Sequence, residues 1–216
     1  VGSEMCIRDR YCDIADTPAY SQDELPDVLT NIREKLVAGV DKRLDADTPV
    51  GFLLSGGLDS SLLSSLSSQV LRERGEMLHT FSVDYRDNDR YFQKSHFQPT
   101  SDPAYIRAME RYLGCQHHWT VLDTPALAEA LYAAVDARDL PGMVDVDSSL
   151  LLFCGEIRKE VTVALSGECA DELFGGYPWY RDADVRRVNG FPWAQSTAYR
   201  AKFLRPELAE KIDAQA

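Results

Sequence analysis

The chain lacks several features that define whole classes of protein. Five of its 216 residues are cysteines, and none of them forms a Cys-x-x-Cys pair with another. An odd and scattered set is typical of reduced thiols and argues against a disulfide framework or a zinc site. No apolar run is long enough to cross a bilayer, and no secretory signal opens the chain. We therefore predict a cytoplasmic protein without a membrane partner.

Positive charge is also scarce. The chain has 23 lysines and arginines against 35 aspartates and glutamates, a formal net charge of -12. Binding to nucleic acid needs a basic surface that neutralises phosphates, so no nucleic-acid partner is predicted. An anionic ligand would have to be held by local donors and metal ions, because the overall field repels it.

The pattern of strands and helices predicts one α/β domain over residues 13–216, after a non-native or disordered leader at 1–12. Strands are predicted at 50–54, 78–84, 116–122 and 161–165. Helices are predicted at 26–44, 60–74, 103–113, 124–138 and 147–159, with an irregular loop at 85–99. This alternation favours an open parallel sheet with helices on both faces.

The most informative stretch is Gly-Phe-Leu-Leu-Ser-Gly-Gly-Leu-Asp-Ser-Ser at 51–61. An apolar run stops at Ser55-Gly56-Gly57 and an amphipathic segment follows, which is typical of a strand, a tight turn and a helix. Adjacent glycines let backbone N–H groups approach an anion, and the helix amino terminus adds a favourable dipole. Asp59 can hold a divalent cation against phosphates. The stretch therefore predicts a nucleotide phosphate site.

The pattern Ser-Gly-Gly-x-Asp-Ser resembles the pyrophosphate-binding loop of the ATP pyrophosphatases, which split ATP between its α- and β-phosphates. It lacks the Gly-Lys-Ser/Thr ending of a Walker loop, so γ-phosphate transfer is the poorer prediction. A serine-rich turn without a ligand is the simpler alternative. The strand–turn–helix context argues against that alternative.

A second concentrated pattern, Ser-Gly-Glu-Cys-Ala-Asp-Glu-Leu-Phe-Gly-Gly-Tyr, occupies 166–177 after the fourth strand. If a helical turn begins here, Glu168 and Asp171 lie at i and i+3 on one face, beside Glu172. Such a cluster needs a cation, an ammonium group or solvent to offset its repulsion. A solvated acidic helix start is the alternative. In parallel sheets ligands bind outside the carboxyl ends of strands, where both patterns are predicted, and this favours a shared site.

Together, 50–61 and 166–177 resemble the synthetase domain of the glutamine-hydrolysing asparagine synthetases. The segment 139–153 resembles one branch of that family, and the resemblance extends over residues 25–205. It implies the adenine nucleotide α-hydrolase-like fold of the ATP pyrophosphatases. Cys169 stands where many members carry glycine, and it would be strained if that position needs a positive φ.

The resemblance implies a ligase reaction in two steps. ATP and Mg²⁺ activate the β-carboxylate of aspartate as β-aspartyl-AMP and release pyrophosphate. Ammonia then displaces AMP to give asparagine. The turn at 55–61 would stabilise the charge that builds on the leaving pyrophosphate.

The resemblance also implies roles for single residues. Glu168 would orient or deprotonate ammonia, and it forms the catalytic set with Asp59 and Asp171. Those two aspartates would share the magnesium ion. The residues expected to bind ATP follow the two patterns and the second strand: Leu53, Ser55, Gly56, Gly57, Asp59, Ser60, Val83, Ser166 and Gly167.

Complete members of the family carry an amino-terminal glutaminase domain that begins with a cysteine nucleophile. Here Met5-Cys6 is followed by Ile-Arg-Asp, not by the glycine-rich start of that domain. A later basic residue for the phosphates and an Arg-Val-Pro-Phe-Leu-Asp-like segment are not found before Ala216. We therefore expect no glutaminase domain in this chain and no catalytic role for Cys6. We also expect the synthetase domain to be truncated at its carboxyl-terminal end and to lack full activity. A homodimer is considered only for the full-length protein.

Two alternatives stay open. A related AMP-forming ligase such as a β-lactam synthetase shares both loops. A non-catalytic scaffold would keep the fold, although it has no need for the carboxylates of Asp59 and Asp171. A tRNA-modifying ATP pyrophosphatase is disfavoured, because the chain is acidic and has no basic stripe.

Overall fold

The structure is a computed structural model, and it describes residues 24–94, 100–187 and 202–209. The chain divides after Arg43 into two units. The first unit contains nearly all of helix α1 (Leu25–Leu44), which matches the predicted amphipathic helix. The predicted leader at 1–12 lies outside the described residues. That prediction and the 13–216 domain boundary stay predictions.

The second unit alternates strands with helices in its described part. The strands are β1 (Val50–Leu53), β2 (His79–Tyr85), β3 (Gln116–Leu122) and β4 (Val163–Leu165). The helices are α2 (Leu58–Glu73), α3 (Asn88–Tyr91), α4 (Pro103–Leu113), α5 (Thr124–Glu129), α6 (Leu131–Arg138), α7 (Val144–Glu160), α8 (Ala170–Phe174), a 3₁₀ helix (Pro178–Tyr180), α9 (Ala183–Arg187) and α10 (Pro206–Ala209).

The strands form one parallel sheet in the order β3-β2-β1-β4. In the centre, Phe52 of β1 is level with Thr80 of β2 and with Leu165 of β4. The chain leaves β1 toward β2 and β3, then crosses back to place β4 on the other side. Because such crossovers are right-handed, α2 and α4 cover one face and α5 to α7 cover the other. The predicted open parallel sheet with helices on both faces is confirmed.

The two faces of β2 have different partners. Phe81, almost fully buried, packs with Phe153 and Ile157 of α7 and with Val161. Its sequence neighbour Thr80 points to the opposite face, where its hydroxyl lies 2.7 Å from Nδ1 of His117. This alternation is the period of two that a strand imposes. The packing of Phe81 on Phe153 and Ile157 places α7 directly against β2, whose carboxyl end borders the site described below.

Two predicted helices differ from the observed ones. The helix predicted over 124–138 is divided at Ala130 into α5 and α6. Helix α7 begins at Val144, three residues before the predicted start at 147, where Asp147 or Ser148 is the predicted cap. Asp147 is buried within the helix and forms an ion pair with Arg138 of α6. Its carboxylate is therefore engaged by tertiary structure, and a local capping rule does not apply to it.

The remaining differences are small. Helix α2 begins two residues earlier than predicted, and β2 is shifted by one residue. The loop predicted over 85–99 contains α3, and its residues 95–99 lie outside the described part. Strand β4 contains only the last three residues of the strand predicted at 161–165. Strand β3 and helix α4 match their predicted bounds, because Pro103 and Gly114 mark the helix ends and Gly114 adopts a positive φ of 60°.

Candidate functional site

The turn between β1 and α2 is held together by its own hydroxyl groups. Ser60 Oγ is buried and accepts a hydrogen bond from the Ser55 backbone N–H at 3.2 Å. It also lies 2.9 Å from Ser55 Oγ and donates to the Gly57 carbonyl at 3.3 Å. The first N–H groups of a helix have no partner within the helix. The turn thus presents a fixed set of donors at the start of α2, suited to an anion.

Gly56 allows this turn to form. Its φ of +78° belongs to the left-handed region, which glycine enters without steric cost. A Cβ at this position would lie 2.9 Å from Tyr105 Cβ and 3.1 Å from the Ile106 backbone nitrogen. Gly56 therefore packs against the start of α4. It is the single predicted ATP-binding residue that does not line the cavity described below.

The turn between β4 and α8 carries the acidic residues. Ser166 Oγ accepts a hydrogen bond from the Glu168 backbone N–H at 3.1 Å. Helix α8 begins only at Ala170, so the expectation that Glu168 and Asp171 share a helix face at i and i+3 is wrong. Cys169 separates them and adopts a φ of +71°, the case in which a strained cysteine is expected from the sequence. Cys169 is the N-cap of α8, so Glu168 lies outside the helix.

The two turns touch each other. A Cβ on Gly167 would lie 3.0 Å from the Ser60 backbone nitrogen and 3.2 Å from Asp59 Cβ. The turn after β4 therefore rests on the first turn of α2, at the point where the chain reverses its direction across the sheet. In open parallel sheets this switch point is where ligands bind. A side chain at 167 would meet the backbone of Asp59 and Ser60 so closely that one of the two turns would have to shift.

A cavity of about 720 Å³ opens between these turns and the end of β2. This volume lies within the range of small-molecule sites. All the predicted site residues except Gly56 line it: Leu53, Ser55, Gly57, Asp59, Ser60, Val83, Ser166, Gly167, Glu168 and Asp171. The first and last of the three loops that the structure brings together here are more than a hundred residues apart in the chain.

Several lining residues were not predicted. Tyr85 ends β2 two residues after Val83, and its hydroxyl lies 2.7 Å from Ser149 Oγ of α7. Leu150 and Phe153 of α7 add apolar wall. The strand period of two could have revealed Tyr85 from Val83. The residues of α7 carry no local signal, because they reach the cavity only through the packing of α7 on the sheet.

The described lining is strongly acidic. It includes five carboxylates and no lysine, arginine or histidine: Asp59, Asp102, Glu168, Asp171 and Glu172. Within the described ranges, no three histidine, cysteine, aspartate or glutamate side chains are grouped closely enough to hold a metal ion. A polyphosphate could enter such a cavity only with cations that offset the like charges.

Tyr177 connects the end of the acidic turn to the cavity. Its hydroxyl donates a hydrogen bond to Glu172 Oε1 at 2.8 Å, and this bond raises the pKa of Tyr177 to about 12. The ring stacks on Trp179 with centroids 4.3 Å apart and planes at 16°. The turn that follows α8 is tight, because Gly175 has a φ of +65° and Gly176 lies against the Asp171 carboxylate.

These features define an α/β domain with a ligand cavity at the carboxyl ends of its parallel strands. A sequence model of the family described as asparagine synthase matches residues 31–216, and the chain belongs to this family. The resemblance recognised in the two sequence patterns is thereby confirmed.

Several characterised proteins are similar in sequence. The chain is 46% identical over 192 residues to asparagine synthetase [glutamine-hydrolyzing] 3 of Bacillus subtilis, a match that covers 88% of the chain and 31% of that protein. It is 34% identical over 173 residues to asparagine synthetase [glutamine-hydrolyzing] 2 of Arabidopsis thaliana, covering 75% of the chain and 27% of the relative. The chain therefore spans about a third or less of the length of these relatives.

Solved structures with a related arrangement are more distant. NAD+ synthetase from Burkholderia pseudomallei is 16% identical with a TM-score of 0.42, covering 67% of this chain and 54% of the other. A predicted subunit of tRNA methyltransferase from Methanocaldococcus jannaschii is 20% identical with a TM-score of 0.31, covering 55% of this chain and 51% of the other.

Among the helices that the structure describes, none combines the length and the apolar character that crossing a bilayer requires.

Proposed function

We propose that the chain is the ATP-using synthetase part of an asparagine synthetase. It would activate the β-carboxylate of aspartate as β-aspartyl-AMP, with release of pyrophosphate, and pass the aspartyl group to ammonia. The observation that carries the proposal is the contact of Gly167 with Asp59 and Ser60. This contact puts a donor-rich turn and an acidic turn on one cavity, within a chain of the asparagine synthase family.

The turn at Ser55 to Ser60 is the proposed pyrophosphate site. Its hydroxyls are already oriented by the bonds that converge on Ser60, so few groups must reorganise when negative charge develops. The amino terminus of the 16-residue helix α2 adds its dipole to these donors. Leu53 and Val83 would hold the adenosine beside the α-phosphate, which Ser166 and Gly167 would face.

Asp59 and Asp171 are the proposed magnesium ligands. They lie on opposite turns and line the same cavity. Mg²⁺ commonly takes only one or two carboxylates and completes its shell with waters and substrate phosphates. The donor set therefore fits Mg²⁺ bound together with ATP, and it need not form a metal site by itself. When bound, the ion would neutralise charge on the phosphate oxygens.

Glu168 is proposed to orient or deprotonate ammonia. Its side chain is exposed, and its backbone N–H is held by Ser166 Oγ. In the longer relatives, which are named as glutamine-hydrolysing, ammonia would come from glutamine through a separate glutaminase domain. A cytoplasmic location and a homodimer of the full-length protein remain part of the proposal.

Exchange of labelled pyrophosphate into ATP tests the reaction class. With Mg²⁺ and L-aspartate, the chain should transfer label from pyrophosphate into ATP. Adenylation is reversible, and without ammonia the β-aspartyl-AMP intermediate is not consumed. Bulkier carboxylic acids should support much less exchange. A preference for a bulkier acid would favour a related AMP-forming ligase such as a β-lactam synthetase. No exchange with any acid, together with no binding of ATP, would leave only the scaffold interpretation.

Cys169 offers a test of occupancy that does not need turnover. Its thiol is exposed and lines the cavity, whereas Cys154 is exposed on α7 and does not line it. Alkylation of each cysteine can be followed by peptide mass spectrometry. ATP with Mg²⁺ should slow the reaction of Cys169 and leave that of Cys154 unchanged. Equal rates for Cys169 with and without the nucleotide would contradict the proposed site.

A further inference from the structure

One carboxylate of the cavity has no role in the proposed reaction. Asp59 and Asp171 are assigned to magnesium and Glu168 to ammonia, but Glu172 also lines the cavity. Its carboxylate accepts the Tyr177 hydroxyl at Oε1, 2.8 Å away, so a tyrosine orients it. The Glu172 side chain is exposed, so its carboxylate could be solvated by water and does not need the tyrosine as a partner to offset burial.

Tyr177 itself is firmly placed. Its ring stacks on Trp179, and Gly175, with a φ of +65°, ends α8 two residues before it. The backbone N–H of Gly176 donates to the Asp171 carbonyl at 3.1 Å, which closes the turn that follows α8. The Tyr177 hydroxyl remains a donor at any physiological pH, since its pKa is raised to about 12 by Glu172. The tyrosine thus occupies one carboxylate oxygen and leaves Oε2 for another partner.

A substrate with a positive group matches this arrangement. The described lining contains no lysine, arginine or histidine that could neutralise Glu172. Aspartate, the acid of the proposed function, carries an α-ammonium group that must be recognised apart from the β-carboxylate that reacts. Hydrogen bonds between charged groups are short and stronger than neutral ones, which makes a carboxylate the natural partner of an ammonium group.

We propose that Glu172, positioned by Tyr177, binds the α-ammonium group of the amino-acid substrate. The inference rests on the proposed function and names the residue that selects an amino acid over a plain dicarboxylic acid. Tyr177 is a positioning residue here, since it acts through Glu172. The pair makes the site specific for aspartate against succinate, which has the same two carboxylates and no amine.

Equilibrium binding to the whole chain, loaded with Mg²⁺ and a non-hydrolysable ATP analogue, tests this. The wild type should bind L-aspartate more tightly than succinate. Glu172→Gln should weaken aspartate binding by about tenfold or more, the value of a charged hydrogen bond, and leave succinate binding unchanged. Tyr177→Phe should weaken aspartate binding by about threefold, and the double variant should be no worse than Glu172→Gln alone.

Tyr180→Phe is the matched control. Tyr180 lies close to Tyr177, with ring centroids 6.2 Å apart, and does not line the cavity. This variant should bind both ligands as the wild type does. Equal binding of aspartate and succinate by the wild type would overturn the inference. Equal weakening of both ligands by Glu172→Gln would also overturn it, because a general structural effect would then explain the loss. Failure of the wild type to bind the ATP analogue would instead refute the proposed function on which the inference rests.

Discussion

The two turns that meet at the cavity are built in opposite ways. The turn after β1 is short, is closed by hydrogen bonds around the buried Ser60, and carries one carboxylate, Asp59. The turn after β4 carries three carboxylates, and Cys169 within it adopts a φ of +71°. In the first turn the hydroxyls bond within the turn and leave the first N–H groups of α2 as donors, whereas in the second the carboxylates line the cavity.

This difference indicates a division of tasks. Oriented donors are suited to the negative charge of phosphates, and a preorganised turn need not change when charge develops. Carboxylates are suited to cations, such as a divalent ion or an ammonium group. In the proposed function, neither turn alone would bind both the nucleotide and its metal ion. We therefore expect binding to depend on the contact between the turns, and the following changes test that expectation.

The largest effect is expected at the contact itself. Gly167→Val would force a side chain against the Ser60 nitrogen and Asp59 Cβ, which lie only 3.0 and 3.2 Å from the position that a Cβ would take. We expect the affinity for ATP with Mg²⁺ to fall by about a hundredfold, as overpacking of this kind costs about 3 kcal/mol. Calorimetric titration measures the loss. Gly155→Ala on α7, where a Cβ meets nothing within 4 Å, should bind normally. Unchanged affinity in Gly167→Val would mean that the turns need not touch.

Asp59→Asn separates the two tasks within one residue. With Mg²⁺ present, the affinity for ATP should fall by about tenfold, because a charged ligand of the ion is lost. Without Mg²⁺ the sign should reverse and ATP should bind slightly better, since a negative charge near the phosphates is removed. Titrations with and without the metal compare the two cases. A loss of the same size in both conditions would exclude a metal role for Asp59.

Ser60→Ala tests whether the first turn is held by its hydroxyls. The Ser60 hydroxyl is buried and interacts with Ser55 and Gly57, so its removal should lower the free energy of unfolding by about 1–2 kcal/mol. Urea denaturation measures the change. Ser65→Ala removes a hydroxyl that bonds the Ser61 carbonyl four residues back in the same helix, and it should change stability by less than about 0.5 kcal/mol. Equal effects of the two variants would show that the turn does not depend on Ser60.

The smallest effect is expected at the strained residue of the second turn. Cys169→Gly should raise the free energy of unfolding by about 1 kcal/mol, because a non-glycine residue in the left-handed region costs about that much or more. Cys154→Gly is the control on helix α7. It should lower stability by about 0.3 kcal/mol, because glycine is a poorer helix former than cysteine, which is itself a weak one. Urea denaturation of both variants checks these signs. If Cys169→Gly is destabilising, the backbone at 169 is not strained, and its positive φ is simply tolerated.

Much of the fold could be predicted where local chemistry acts alone. Strand β3 and helix α4 match their predicted bounds, since proline, glycine and the apolar pattern mark their ends. The prediction was wrong at the start of α7 because Asp147 is paired with Arg138 rather than with the helix start. It was also wrong about Glu168, because Cys169, in the left-handed region, is the N-cap of α8 and Glu168 lies before it. In both cases a contact or a backbone angle that depends on tertiary structure overrides a local rule.

The amino-acid sequence by itself determined the parallel α/β architecture, the two loop patterns and the membership of a family, because strand periods, glycine turns and residue spacing are local properties. Only the tertiary structure decided that Gly167 rests on Asp59 and Ser60, that Tyr177 orients Glu172, and that Tyr85 and α7 wall the cavity. The contact of Gly167 and the walls of the cavity join segments distant in the chain, and they form only when the sheet order brings the strand ends to one edge. The bond between Tyr177 and Glu172 depends on the backbone turn at Gly175.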